Sequence, residues 1–194
     1  SQLAPVVAGI GAGVRVAYAQ LGGGALPVAL SDTVRLLRTR QLLETTIAVA
    51  PCLDADMQAV NVASALAWAK SRGFEVIVCG IGPGIVGTGS ALGHGGLAVA
   101  DAANAAAALG GRAIVVVRYS AEDTRERHRG VSHHTRSVLR LGLGACDVAC
   151  KICRYNLEPG SPRWVVSKGS QRSATAPTCR RRPSSKRGGA PGAR

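Results

Sequence analysis

The sequence predicts an α/β domain: a Rossmann-like three-layer sandwich with a mostly parallel sheet of at least four strands. Two observations carry this. Short apolar, β-branched runs at residues 14–20, 45–50, 74–81 and 113–118 alternate with segments of helical periodicity. Glycine-rich loops follow the first and third of these runs, at the strand carboxyl ends where open parallel sheets bind ligands. With 194 residues and 46% apolar content the chain has material for one core. Aromatic residues make up only 3%, which speaks against stacking on single-stranded nucleic acid.

The elements follow in order. Residues 2–10 are small and apolar and predict a helix with Pro5 in its first turn, ended by Gly11 and Gly13. Residues 14–20 are the first strand, and the loop from Leu21 to Pro27 leaves its carboxyl end. Ser31 reads as a helix N-cap, with Asp32 in the first turn and Val34 and Leu37 on one face. Residues 45–50 are the second strand, followed by Pro51. Asp54 and Asp56 are expected to cap a helix over 57–72, where Val60, Ala63, Ala67 and Trp68 recur at helical spacing and Gly73 is the stop. Residues 74–81 are almost wholly apolar, as expected of an interior strand buried on both faces. An alanine-rich helix spans 97–109, with Asp101 and Asn104 on one face. Residues 113–118 form the fourth strand, and a polar loop leads to a helix over 131–143. The alternation implies right-handed crossovers and a sheet covered on both sides.

The formal net charge of +13 is unevenly placed. Residues 1–144 hold 13 Lys and Arg against 9 Asp and Glu, whereas residues 145–194 hold 11 against 2. Residues 1–144 are therefore read as the α/β domain and 145–194 as a basic, low-complexity tail, expected to be disordered. The tail's Arg, Pro, Ser, Gly and Ala vocabulary also fits a shifted reading frame of a GC-rich gene. Nucleic acid is expected as a partner only through this tail. Cys52 and Cys79 lie in or beside apolar runs and read as reduced thiols, which favours a cytoplasmic setting. No leader opens the chain and no uncharged apolar run reaches ~18 residues, so no membrane partner is expected. Residue 1 is Ser, which suggests a fragment or a processed chain.

Two segments carry candidate chemistry. The first is the loop containing Gly82, Gly84, Gly87, Thr88, Gly89, Ser90, His94, Gly95 and Gly96. Its G-x-G-x-x-G match is not a dinucleotide fingerprint, because the helix starts too late and no acidic residue closes the next strand ~20 residues on. Two readings stand: an anion cradle of backbone N–H groups with Thr88 and Ser90, or a glycine-rich crossover needing tight reversals. The second segment is 125–135, with three arginines and three histidines in eleven residues. Arg125 and Arg127 are candidate anion clamps, and His94, His128 and His133 candidate proton-transfer residues. His133 and His134 stand about 100° apart on a helix, so at most one is expected to face a site. A metal on His94, His128 and one of that pair has no supporting carboxylate or cysteine spacing, so no metal is assigned. The spacing of Cys146, Cys150 and Cys153 suits an iron–sulfur cluster, but their place before the tail argues against one. The two segments face each other if the third and fourth strands are neighbours.

Several of these stretches also carry a family resemblance. Gly-Ala-Leu-Pro at 24–27, Ala-Ser-Ala-Leu-Ala-Trp at 63–68, Gly-Ile-Gly-Pro-Gly-Ile-Val-Gly-Thr-Gly at 80–89, Leu-Gly-His-Gly-Gly at 92–96 and Arg-Glu-Arg-His-Arg-Gly-Val-Ser-His-His-Thr at 125–135 resemble a family of unknown function, DUF3866, found mainly in actinobacteria. The resemblance covers about residues 1–143 and implies a longer parent protein. It implies no activity, substrate or catalytic residue. The reading from the residues is an enzyme of hydrolase or transferase type binding a small anionic or phosphorylated metabolite. Its alternatives are a non-catalytic ligand-binding or interaction domain, and nucleic-acid binding through the tail. No cofactor or oligomeric state is specified.

Overall fold

The computed structural model describes residues 2–149. Every residue of β1 (Val16–Leu21) is buried, and its alternating side chains divide the core in two. Val16 and Tyr18 pack with Val7 of α1 (Leu3–Ile10) and with Val34 and Leu37 of α2 (Asp32–Thr39). Ala17, Ala19 and Leu21 pack on the other side with Ala65 and Ala69 of α3 (Val62–Ser71) and Ala102 of α4 (Ala98–Ala108). Small residues on both partners let α3 and α4 sit close to the sheet.

The main sheet contains β1, β2 (Thr45–Val49), β3 (Met57–Ala59) and β4 (Val76–Ile81). All its strands are parallel, in the order β3-β2-β1-β4. With helices on both faces this is the expected α/β, Rossmann-like class. The chain moves outward from β1 through β2 to β3, then crosses back to the far side of β1 as β4. The topological switch point therefore lies between β1 and β4, where ligands collect in such sheets.

Two elements differ from the sequence reading. The helix expected over 57–72 begins only at Val62, because Met57–Ala59 pairs with β2 as an edge strand. Asn61 is its cap: the Asn61 side chain accepts from the Ser64 N–H at 2.9 Å, and Ser64 Oγ accepts from the Asn61 N–H. Asp56 is not a cap. Its carboxylate accepts from Thr46 N and Thr46 Oγ1, both at 2.9 Å, and pairs with Arg38. Secondly, β5 (Ala113–Val116) does not join the main sheet. It pairs in parallel with β8 (Cys146–Ala149), which lies past the compositional change at Gly144. The rest of the tail, including Cys150 and Cys153, lies outside the described residues. Between β5 and β8 come β6 (Tyr119–Ser120), β7 (Gly130–Val131), paired antiparallel with β6, and α5 (His133–Leu141).

Helix α4 joins the two parts. Its Ala102 belongs to the main-sheet core, whereas Ala100 packs with Val115 of β5 and Val138 of α5. Asn104 anchors the end of α5 by accepting from the Leu143 N–H at 2.8 Å. Helix α5 is thereby laid against the single 3-10 turn Gly95–Leu97 that precedes α4. Among the described residues no helix is long and apolar enough to cross a membrane.

Candidate functional site

The chain has four histidines, and all four meet in one place. His94 ends the glycine loop, His128 closes the 3-10 turn Glu126–His128, and His133 and His134 open α5. The His94 ring stacks on His134 with centroids 4.3 Å apart and meets His133 edge-on at 5.1 Å. His128 lies 4.8 Å from His133 and 5.0 Å from His134. The two candidate segments thus meet although β4 and β5 are not paired. Packing of α5 on the turn before α4 brings them together, not strand adjacency. Both His133 and His134 face the cluster, against the expectation of one. His94 sits in the angle between them, so their angular separation brackets its ring.

His94 and His128 are buried, His133 and His134 are half-buried, and the cluster is under-bonded. His94 is 8% exposed, and among the described residues neither of its ring nitrogens has a partner; nor does the buried Nε2 of His133. Burial pushes all four imidazoles toward the neutral form. The arginines add to this: Arg118 and Arg125 repel a proton from His128, and Arg127, Arg118 and Arg125 from His133. His134, after burial, is opposed by His133, His94, His128 and Arg118 and is pushed down to about 4. The first turn of α5 adds a positive dipole end beneath His133 and His134.

His128 is held differently. Arg118 Nη1 donates to its Nδ1 at 2.5 Å, and a guanidinium can only donate. The proton of neutral His128 therefore sits on Nε2. Ser132 Oγ stands 2.8 Å from the same Nδ1, is fully buried, and caps α5 by accepting from the His134 N–H. Asp123 closes the network by pairing with Arg118 at 2.9 Å and with Arg125 at 3.1 Å. Arg125, chiefly, holds the Asp123 carboxyl well below the usual carboxylate range.

Arg125, read from the sequence as an anion clamp, is engaged with Asp123 through two of its nitrogens. Arg127 has no ion pair among the described residues. It lines an open cleft of about 780 Å³ with Arg129, Arg136, Glu126 and Tyr119.

Several polar groups of the glycine loop bond within it or to the end of β1. Gly87 bridges His94; Thr88 N donates to Gly93 O at 2.6 Å, and Gly95 N to Val86 O at 2.8 Å. Thr88 Oγ1 bonds Ser90 Oγ and accepts from Ser90 N, so these hydroxyls close a hairpin. Gly84 O accepts from Ala25 N, and Val86 N donates to Gly23 O, which stitches the loop to the end of β1. A side chain on Gly82 would strike the Gln20 amide, and one on Gly96 would come 2.8 Å from His94 Nδ1. Gly89 lies in the open at the tip. These bonds make the loop a scaffold that carries His94.

Arg118, Asp123 and Ser132 were not selected from the sequence as site residues, and His134 was named only as the alternative to His133 in a metal set. Asp123 precedes Arg125 by two residues, which is the one local signal available. One nitrogen each from His94, His133 and His134 lie within 4.8 Å of one another, a spacing that could hold a metal, and among the described residues no other such group of three occurs.

A family model described as "Protein of unknown function (DUF3866)" matches residues 1–177, and the chain belongs to that family. Neither the curated proteins nor the solved structures contain a match to it.

Proposed function

We propose that this member of the DUF3866 family is an enzyme of hydrolase or transferase type, with the four-histidine cluster as its reactive centre and a small anionic or phosphorylated metabolite as its substrate. One observation carries the reading: every histidine of the chain converges on a buried point where ring nitrogens lack partners. Neutral imidazoles there are proton acceptors at neutral pH. The open nitrogens of His94 and His133 are where a proton or a cation can be taken up, and the Nε2–H of His128 is the candidate donor. Arg127, Arg129 and Arg136 around the neighbouring cleft give the approach a positive field that favours an anion. A cytoplasmic setting is part of the reading, supported by the free thiols of Cys52, Cys79 and Cys146.

A non-catalytic ligand-binding domain is the second reading. What favours it is that Asp123, the carboxylate whose charge acts on His128, is held by two arginines and makes no hydrogen bond to that ring among the described residues. The test is a thermal-shift panel of phosphorylated and carboxylated metabolites on the full chain and on His94→Gln. The expected result is a rise in Tm with at least one anion, lost in His94→Gln. A flat panel on folded protein refutes the substrate class. Binding without turnover selects the second reading.

A further inference from the structure

We infer that His94, His133 and His134 bind one divalent transition-metal ion of the zinc class, leaving an open coordination position for water or for an anionic substrate; the inference rests on the cluster being the reactive centre proposed above. Geometry comes first. One nitrogen from each residue lies within 4.8 Å of the other two. Around a tetrahedral ion with bonds of ~2.0–2.1 Å, ligand nitrogens stand about 3.4 Å apart. Ring rotations that move the nitrogens on the order of an ångström close the set.

The second observation is independent of spacing. Buried polar atoms are almost always hydrogen-bonded. Here three ring nitrogens, both of His94 and Nε2 of His133, are buried and unpartnered at the same spot. A cation coordinated by lone pairs satisfies one nitrogen of His94 together with Nε2 of His133, the other His94 nitrogen carrying that ring's proton, and the neutral imidazole is the form that ligates. Three nitrogen donors without carboxylate or carbonyl oxygen exclude a calcium- or magnesium-type site and suit zinc, cobalt or nickel. His128 is outside the set, because Arg118 donates to its Nδ1 and its Nε2 carries the proton. Three neutral ligands leave the ion's double charge uncompensated, and Arg118 and Arg127 add to it. The fourth ligand is therefore an anion: hydroxide at rest, and the carboxylate or phosphate of a substrate in turnover. Such a three-ligand site is of the open, catalytic kind.

The experiment titrates the full chain, stripped with chelator, with Zn²⁺ by calorimetry and with Co²⁺ by visible absorption. The expected result is one equivalent per chain with the spectrum of nitrogen ligation. His94→Gln, His133→Gln and His134→Gln should each weaken binding by at least ~100-fold, beyond what loss of an outer-shell partner costs. His128→Gln retains the metal. A triple variant, Cys146→Ser, Cys150→Ser and Cys153→Ser, guards against thiolate capture and should bind as wild type does. Circular dichroism checks that each variant is folded. Three outcomes overturn the site: no binding to wild type in the micromolar range, binding that survives the histidine substitutions, or a sulfur-to-cobalt charge-transfer band that disappears with the cysteines. If metal fails to bind while a metabolite shift still depends on His94, the ion is wrong and the reactive centre stands. If one equivalent binds while no anion shifts the Tm, the ion stands and the substrate class falls.

Discussion

The glycine loop and the arginine–histidine segment offer the same kinds of polar group and treat them in opposite ways. In the loop, Thr88, Ser90 and the backbone of Val86, Gly93 and Gly95 bond within the loop or to the end of β1. In the cluster, nitrogens of His94 and His133 are buried and have no hydrogen-bond partner among the described residues. Satisfied groups stabilise and position. Unsatisfied buried groups cost stability, about 1–3 kcal/mol each, unless a ligand meets them. On the function proposed above, the loop is the support and the histidines are the working parts. His94 belongs to both, since the loop places it and the cluster uses it.

The sharpest way to break this comparison is at Gly95. A Cβ there would lie 2.1 Å from Gly23 O, a backbone atom that cannot turn aside. If the loop is a rigid support, Gly95→Ala should destabilise by about 3 kcal/mol or more in urea unfolding. A cost under ~1 kcal/mol would mean that the loop yields, and that its bonds do not position His94.

The next largest effect concerns pH. All four imidazoles are depressed in the folded protein, His134 to about 4, whereas an unfolded histidine titrates near ~6.5. Between these values the unfolded state binds protons that the folded state refuses. Stability is therefore full above ~6.5 and falls as pH drops toward about 4. Asp56, Glu44 and Asp123 are depressed carboxylates, and their contributions are lost only in the carboxylate range and below. The fall in Tm of metal-free protein between pH ~7 and ~5 thus reports on the histidines. His134→Gln should flatten it; an unchanged slope would show that the cluster protonates freely and is open to water.

Much of this arrangement was legible in the sequence. The apolar runs announced β1, β2 and β4, and Ser31 announced α2, because burial on both faces and N-capping are local in sequence. β3 was read as helix: Met57–Ala59 is too short to show a period, and only Asn61 with Ser64 marks the true helix start. The place of β5 was not legible, since its partner β8 lies past Gly144 in sequence of changed composition. At the site, residue type identified His94, His128 and His133. Partnership did not show: that Arg125 is consumed by Asp123, or that Arg118 fixes the His128 tautomer, depends on contacts that no spacing reveals.

Asp123 allows a smaller, two-sided test. At pH 7 it is ionised, and its pairing with Arg118 and Arg125 contributes fully, since its pKa is lowered on folding. Asp123→Asn should lower Tm at pH 7 by less than Gly95→Ala does. It should also release Arg125, so the Tm rise with inorganic phosphate should grow relative to wild type. If the phosphate response shrinks instead, Asp123 orders the anion site through Arg118, and the satisfied network belongs with the working parts.

The smallest expected effect separates the two regions most directly. Thr88 and Ser90 are exposed, and their hydroxyls bond each other and the loop backbone. Hydrogen bonds of this kind contribute about 0.5–1.5 kcal/mol net. The double variant Thr88→Ala, Ser90→Ala should cost about 1 kcal/mol in urea unfolding and leave the phosphate and Zn²⁺ titrations within error of wild type. The opposite pattern, unchanged stability with a lost phosphate response, would make these hydroxyls ligand contacts. The loop would then be an anion cradle after all, and its internal bonds only the resting arrangement of groups that turn outward when the anion arrives. Because the hairpin tip at Gly89 has open space around it, nothing steric prevents that turn. The titration decides between the two on energy alone: a bond that holds the loop together shows in stability, and a bond that holds the ligand shows in binding.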